Sequence, residues 1–134
     1  MRKRTRRPGT CRARGYRRVS QWEGRVYNQP PAELPAFAVT VTAETLTVAL
    51  SGEFDVTSEG LLADCLAHLA LERPRRLVFE AGLVTFIDCA SARLIVGTGH
   101  LLPPGVKPVI VCPSPIVRRV LQASGLSALC VLRD

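Results

Sequence analysis

From Ala36 onward the chain alternates. In "AFAVTVTAETLTVALSG" apolar and polar residues change places through two β-branched runs, around Phe37 to Val41 and Leu46 to Leu50, with "TAET" between them. A period of two with an intervening polar turn predicts a β-hairpin. The period then lengthens. "DVTSEGLLADCLAHLALERP" places Leu61, Leu62, Cys65, Leu66 and Leu69 on one helical face, with Thr57 and Ser58 as N-cap candidates and Pro74 closing the segment.

"RRLVFEAG" is an apolar run of strand length, and "VTFID" is a brief extended piece after it. From Ala90 to about Leu102, Leu94, Ile95 and Thr98 recur at helical spacing until "PPG" stops the pattern. "KPVIVC" predicts a further strand. "SPIVRRVLQASG" predicts a helix with Ser114 as N-cap, Pro115 at its first position and Gly125 at its C-terminal end. "LSALCVLRD" closes the chain as a last strand. The order is β-β-α-β-α-β-α-β, which predicts an α/β fold: one domain, residues 36–134, with a mixed sheet and helices packed against it.

Residues 1–35 break this pattern. "MRKRTRRPGTCRARGYRRVSQWEGRVYNQPPAELP" is dense in Arg, punctuated by Gly and Pro, and has almost no aliphatic periodicity, which predicts a disordered basic arm. The whole chain of 134 residues carries a net charge of +7. Ten basic residues and one acidic residue fall in 1–25, whereas eight basic and ten acidic residues fall in 26–134. The charge therefore belongs to the arm, and the domain is mildly acidic. The arm reads either as a segment that neutralises phosphates or as a plain extension. Direct nucleic-acid contact by the domain is not expected.

Five cysteines (Cys11, Cys65, Cys89, Cys112 and Cys130) are far apart and form no zinc-type spacing, so neither a disulfide framework nor a metal site is expected. No apolar run has the length of a membrane span, and a cytoplasmic location is expected. His68 and His100 fall into no catalytic motif. Gly97 and Gly99 lie late in an expected helix, not between a strand and a helix start, which disfavours a phosphate loop. The expectation is a non-enzymatic chain without a cofactor.

Two short stretches hold the candidate site. Glu53 and Asp55, in "SGEFDVTS", sit between a strand and a helix, where an exposed loop is expected. Asp88, in "TFIDCASARLIVG", precedes a helix start, where its carboxylate can accept from an orphan backbone N–H. Cys89, Ala90, Ser91 and Ala92 are all small, which leaves the helix entrance open to close approach by another protein. Arg93 reads either as a charged rim contact or as an ordinary solvated helix residue.

Residues 36–134 resemble the STAS domain, whose best-studied members are bacterial anti-sigma factor antagonists. The resemblance rests on "LSGEFDVTS", "LVFEAGLVTFIDCASARLIVG" and "VIVCPSPIVRRVLQASGL" in this order. It implies partner contacts by Glu53, Asp55, Asp88, Cys89, Ala90, Ser91 and Arg93. The implied partner is an anti-sigma factor of the serine-kinase type, sequestered so that a sigma factor is freed. Members that act as switches carry Asp, two hydroxyl residues and Gly where this chain reads Asp88, Cys89, Ala90 and Ser91. The phosphorylated hydroxyl falls at Ala90, which cannot accept phosphate. Three outcomes stay open: a constitutive antagonist, Ser91 as a displaced acceptor, or an interaction module of another assembly, such as a stress-signalling scaffold or a soluble subunit of a lipid-transport complex.

Overall fold

The structure, a computed structural model, describes residues 3–5 and 34–134. Strand β1 (Lys3–Thr5) pairs antiparallel with β2 (Ala36–Thr42), which forms the expected hairpin with β3 (Thr45–Phe54). Parallel strands follow: β4 (Arg76–Ile87), β5 (Val109–Val111) and β6 (Val131–Arg133), each beside its predecessor in the sheet order β1-β2-β3-β4-β5-β6. Lys3–Thr5 thus places three arm residues at a sheet edge; the rest of the expected arm, up to residue 33, lies outside the described residues.

Three helices connect the parallel strands: α1 (Glu59–Ala70), α2 (Cys89–Gly97) and α3 (Pro115–Ala123). A sheet whose strands advance one place at a time through right-handed crossovers receives all its helices on one face. In agreement, α1 touches α2 and α2 touches α3. Burial alternates accordingly. Phe37, Val39 and Val41 of β2 and Leu46, Val48, Leu50 and Phe54 of β3 are buried under the helices, whereas Thr40, Thr47 and Ala49 face the other way and stay partly accessible. Phe54 is fully buried and meets Phe37 edge to face at 5.7 Å between ring centroids.

β4 departs from the two pieces expected of it. "RLVFEAGLVTFI" is one strand of 12 residues, broken in rhythm and not in continuity. Ala49 faces Glu80 and Ser51 faces Leu83, so two steps on β3 match three on β4; Gly52 faces Val84 and Glu53 faces Phe86, so one step matches two. Each irregularity is a bulge that inserts one residue into β4. Gly52 sits at the second with φ +92°, a conformation that side-chain-bearing residues rarely adopt. The inward residues of β4 consequently change spacing, from Leu77, Phe79 and Ala81 to Val84 and Ile87.

Helix ends also differ from the sequence pattern. α2 ends at Gly97 and continues as a 3-10 turn over Thr98–Leu101, with the Thr98 hydroxyl donating to the Ile95 carbonyl at 2.6 Å. The side-chain bond offers that carbonyl an alternative partner and tightens the turn. A 3-10 turn over Val56–Ser58 also precedes α1. Asp55 caps that turn through its side chain, and Ser58, one of the two expected candidates, is the N-cap residue of α1 without a side-chain cap bond. At the end of α3, Gly125 adopts φ +80°, the left-handed conformation expected of it.

Candidate functional site

β3 and β4 end side by side, Phe54 opposite Ile87, and the chain leaves both strands at the same end of the sheet. This fixes the two candidate stretches against each other. The Asp88 N–H donates to the Phe54 carbonyl at 3.1 Å, tying the residue before α2 to the residue before Asp55.

Asp88 is the N-cap of α2: its backbone is extended (φ −98°, ψ 173°), and Oδ1 accepts from the Ser91 N–H at 2.8 Å. The Asp88 carbonyl accepts the first helical bond, from the Ala92 N–H at 3.0 Å. Such a cap satisfies an orphan donor and places negative charge at the positive end of the helix.

Asp55 organises the other stretch. Its Oδ1 accepts from the Thr57 hydroxyl at 2.6 Å and from the Thr57 N–H at 2.9 Å, while Ser58 Oγ accepts from the Asp55 N–H at 3.0 Å. This reciprocal box closes the turn. The Thr57 hydroxyl bond is the main cause holding the Asp55 carboxyl below its ordinary value; desolvation opposes it, and the backbone donors add to the lowering.

Exposure sorts the candidate residues. Cys89 and Arg93 are exposed and four positions apart, so they share a face of α2. Asp88 and Ala90 are half-buried at the entrance. Glu53 is half-buried too, but it belongs to β3 and not to the loop expected from the sequence. Ser91 is 0% exposed, on the inward stripe with Ala92, Ile95 and Val96, and its hydroxyl has no hydrogen-bond partner among the described residues. That burial takes the Ser91 side chain off the accessible surface of the helix entrance. One step of about 100° around the helix separates half-buried Ala90 from buried Ser91.

Sequence reasoning missed three apolar residues at this end of the sheet. Leu83 is 73% exposed, Phe86 42% and Val56 71%. The only sequence signal was Gly82, a glycine inside a strand pattern, which often marks a bulge. In a continuous run such as "GLVTFI" composition does not reveal which apolar residues face out.

Catalytic groups do not converge here. His68 and His100 each bond a backbone carbonyl of their own helical segment through Nδ1, Asp64 at 2.9 Å and Gly97 at 2.6 Å respectively. Among the described residues there is no group of three His, Cys, Asp or Glu side chains suited to hold a metal, and no helix long and apolar enough to cross a membrane.

The pattern of two carboxylate-capped turns beside a small-residue helix entrance falls within a longer match: the STAS domain family model covers residues 36–133. The chain belongs to the STAS domain family. Solved STAS-like structures share the fold. A crystal structure of an anti-sigma factor antagonist from Mycobacterium paratuberculosis superposes with a TM-score of 0.70 at 20% identity, covering 79% of this chain and 91% of that one. The anti-sigma factor antagonist SpoIIAA in its unphosphorylated form gives 0.61 at 25% identity, covering 74% and 89%. The Bacillus cell fate determinant SpoIIAA in the phosphorylated form gives 0.56 at 24%, covering 74% and 92%.

Proposed function

We propose that this STAS domain, residues 36–134, is an anti-sigma factor antagonist that works by binding and not by catalysis. Its partner is an anti-sigma factor of the serine-kinase type, which it occupies so that a sigma factor is freed. The contact is made by the entrance of α2 (Asp88, Cys89, Ala90 and Arg93) together with Glu53 and Asp55. The observation that carries this reading is the accessible pair Cys89 and Ala90 at an entrance pinned by the Asp88 cap. The antagonist SpoIIAA, at 25% identity, supports it.

The usual switch is absent in this reading. A phosphate adds about −1.5 to −2 charges, which within a close-packed contact brings bulk, desolvation cost and repulsion. Ala90, at the acceptor position, offers no oxygen, and the buried Ser91 hydroxyl counts against a displaced acceptor. The antagonist therefore stays competent to bind in the presence of ATP. The missing acceptor also favours a second reading, an interaction module of another assembly that no longer meets a kinase.

Purified kinase-type anti-sigma factors from the source organism, titrated with the full chain with and without ATP, test the proposal. One of them is expected to bind with an affinity that ignores ATP. Binding lost upon ATP addition, with phosphate recovered on the chain, overturns the constitutive reading; no binding by any of them favours the second.

A further inference from the structure

The two bulges of β4 do more than alter a rhythm. Had β4 kept a strict period of two, every second residue would point under the helices. Instead Glu80, Leu83 and Phe86 come out on the helix-free face at successive rungs, beside Ala49, Ser51 and Glu53 of β3. β5 pairs only with Val78–Glu80, so no described strand flanks β4 at Leu83 and Phe86 on that side. Two large apolar side chains thus stand open, 73% and 42% exposed, at the end of the sheet that carries the α2 entrance.

Among the described residues, the charges next to the pair are mainly acidic. Glu53 is the cross-strand neighbour of Phe86, Glu80 lies one rung below Leu83, Asp55 and Asp88 cap the turns at the same end, and Glu59 begins α1. None of these carboxylates forms an ion pair among the described residues. Asp55 is held in its ionised form by Thr57. Among the described residues Arg93 stands at the α2 entrance, Arg76 begins β4 four residues before Glu80, and Arg133 lies on the rung of Glu80 two strands away.

From this juxtaposition we infer that Leu83 and Phe86 are the apolar anchor of the antagonist's contact, and that the occupant is a protein surface with an apolar pocket rimmed by Lys or Arg. The inference rests on the antagonist reading and extends its contact from the helix entrance onto the helix-free face of the sheet. An exposed apolar pair inside a charged rim is the arrangement of an interface hot spot, in which a few central residues supply most of the affinity while the rim sets encounter rate and register. The acidic rim selects against acidic surfaces and fits a basic one.

The test uses the full chain and the kinase-type anti-sigma factor that binds it. Leu83→Ser and Phe86→Ser, both at exposed positions, are expected to leave the urea midpoint nearly unchanged and to weaken binding about tenfold or more, mainly through faster dissociation. Leu71→Ser, 78% exposed just beyond the far end of α1, is the control and should bind as the wild type does. Glu53→Lys and Glu80→Lys are expected to slow association, and added salt to slow the wild type toward the variants.

Wild-type affinity in both serine variants, with binding otherwise intact, overturns the anchor while leaving the antagonist reading in place. Faster association by the lysine variants overturns the basic rim. A concentration-dependent wild-type dimer that Phe86→Ser dissociates assigns the pair to a second copy of the chain and overturns the inference. If no kinase-type anti-sigma factor binds the wild type, the antagonist reading falls and the anchor with it.

Discussion

The Asp88 N–H donates to the Phe54 carbonyl at 3.1 Å, so the last residue of β3 is bonded directly to the cap of α2. The cap has a measurable worth. Asp88→Ala removes the acceptor for the Ser91 N–H and is expected to destabilise the domain by about 0.5–2 kcal/mol. In a domain of this size that lowers the melting temperature by about 4–8 °C per kcal/mol. Asp88→Asn, which keeps a side-chain oxygen, should recover most of the loss. Urea titrations of the three proteins decide the matter.

Ser91 predicts the opposite sign. Its hydroxyl is buried without a described partner, and such a group costs about 1–3 kcal/mol. Ser91→Ala is expected to raise stability by on the order of 1 kcal/mol, seen as a higher urea midpoint at an unchanged slope. A loss of stability would show that the hydroxyl is satisfied in solution.

Ala90→Ser returns the missing oxygen to the half-buried acceptor position. In the proposed function this variant gains phosphate from the cognate anti-sigma factor in the presence of ATP and then binds it about tenfold more weakly or worse, whereas the wild type gains none and holds on. Intact-protein mass spectrometry and a binding titration read the two effects separately.

Asp55 sets a pH dependence. Its folded value lies below the ordinary 3.8, because Thr57 and the backbone donors favour the ionised form. The stabilisation is therefore present above the unfolded value and is lost as pH falls through the lower folded value. Wild type and Asp55→Asn should differ in urea midpoint at neutral pH, and the gap should close with acidification below about pH 4. A gap that widens with acid would reverse the assignment.

Much of the fold was readable because burial on one face imposes a strict period. Phe37 to Val41 and Leu46 to Leu50 alternate in the sequence and in the sheet, and Leu62, Cys65, Leu66 and Leu69 form the buried stripe of α1. β4 was read as two pieces because its bulges shift the inward set from every second residue to every third, at Ala81, Val84 and Ile87. Asp88 was legible as a cap from its place before a run of small residues, and Cys89 and Arg93 were legible as helix-entrance residues. The depth of Ser91 was not, since a hydroxyl at a helix start is compatible with either side of the helix. Glu53 was placed in a loop because it follows the alternating run and precedes a helix pattern, yet Gly52, with φ +92°, lets β3 continue beside the second bulge of β4 as far as Phe54.

The extra residues in β4 make chain length the quantity under constraint at this corner. Deleting one residue between Gly82 and Phe86 would carry Ile87 out of register with Phe54 and turn it toward water, breaking the bond from the Asp88 N–H to the Phe54 carbonyl. Exchange of side chains at Leu83 or Phe86 leaves that frame untouched. The corner can thus acquire new chemistry by substitution while tolerating neither shortening nor lengthening, a division that lets one backbone serve many different docking faces.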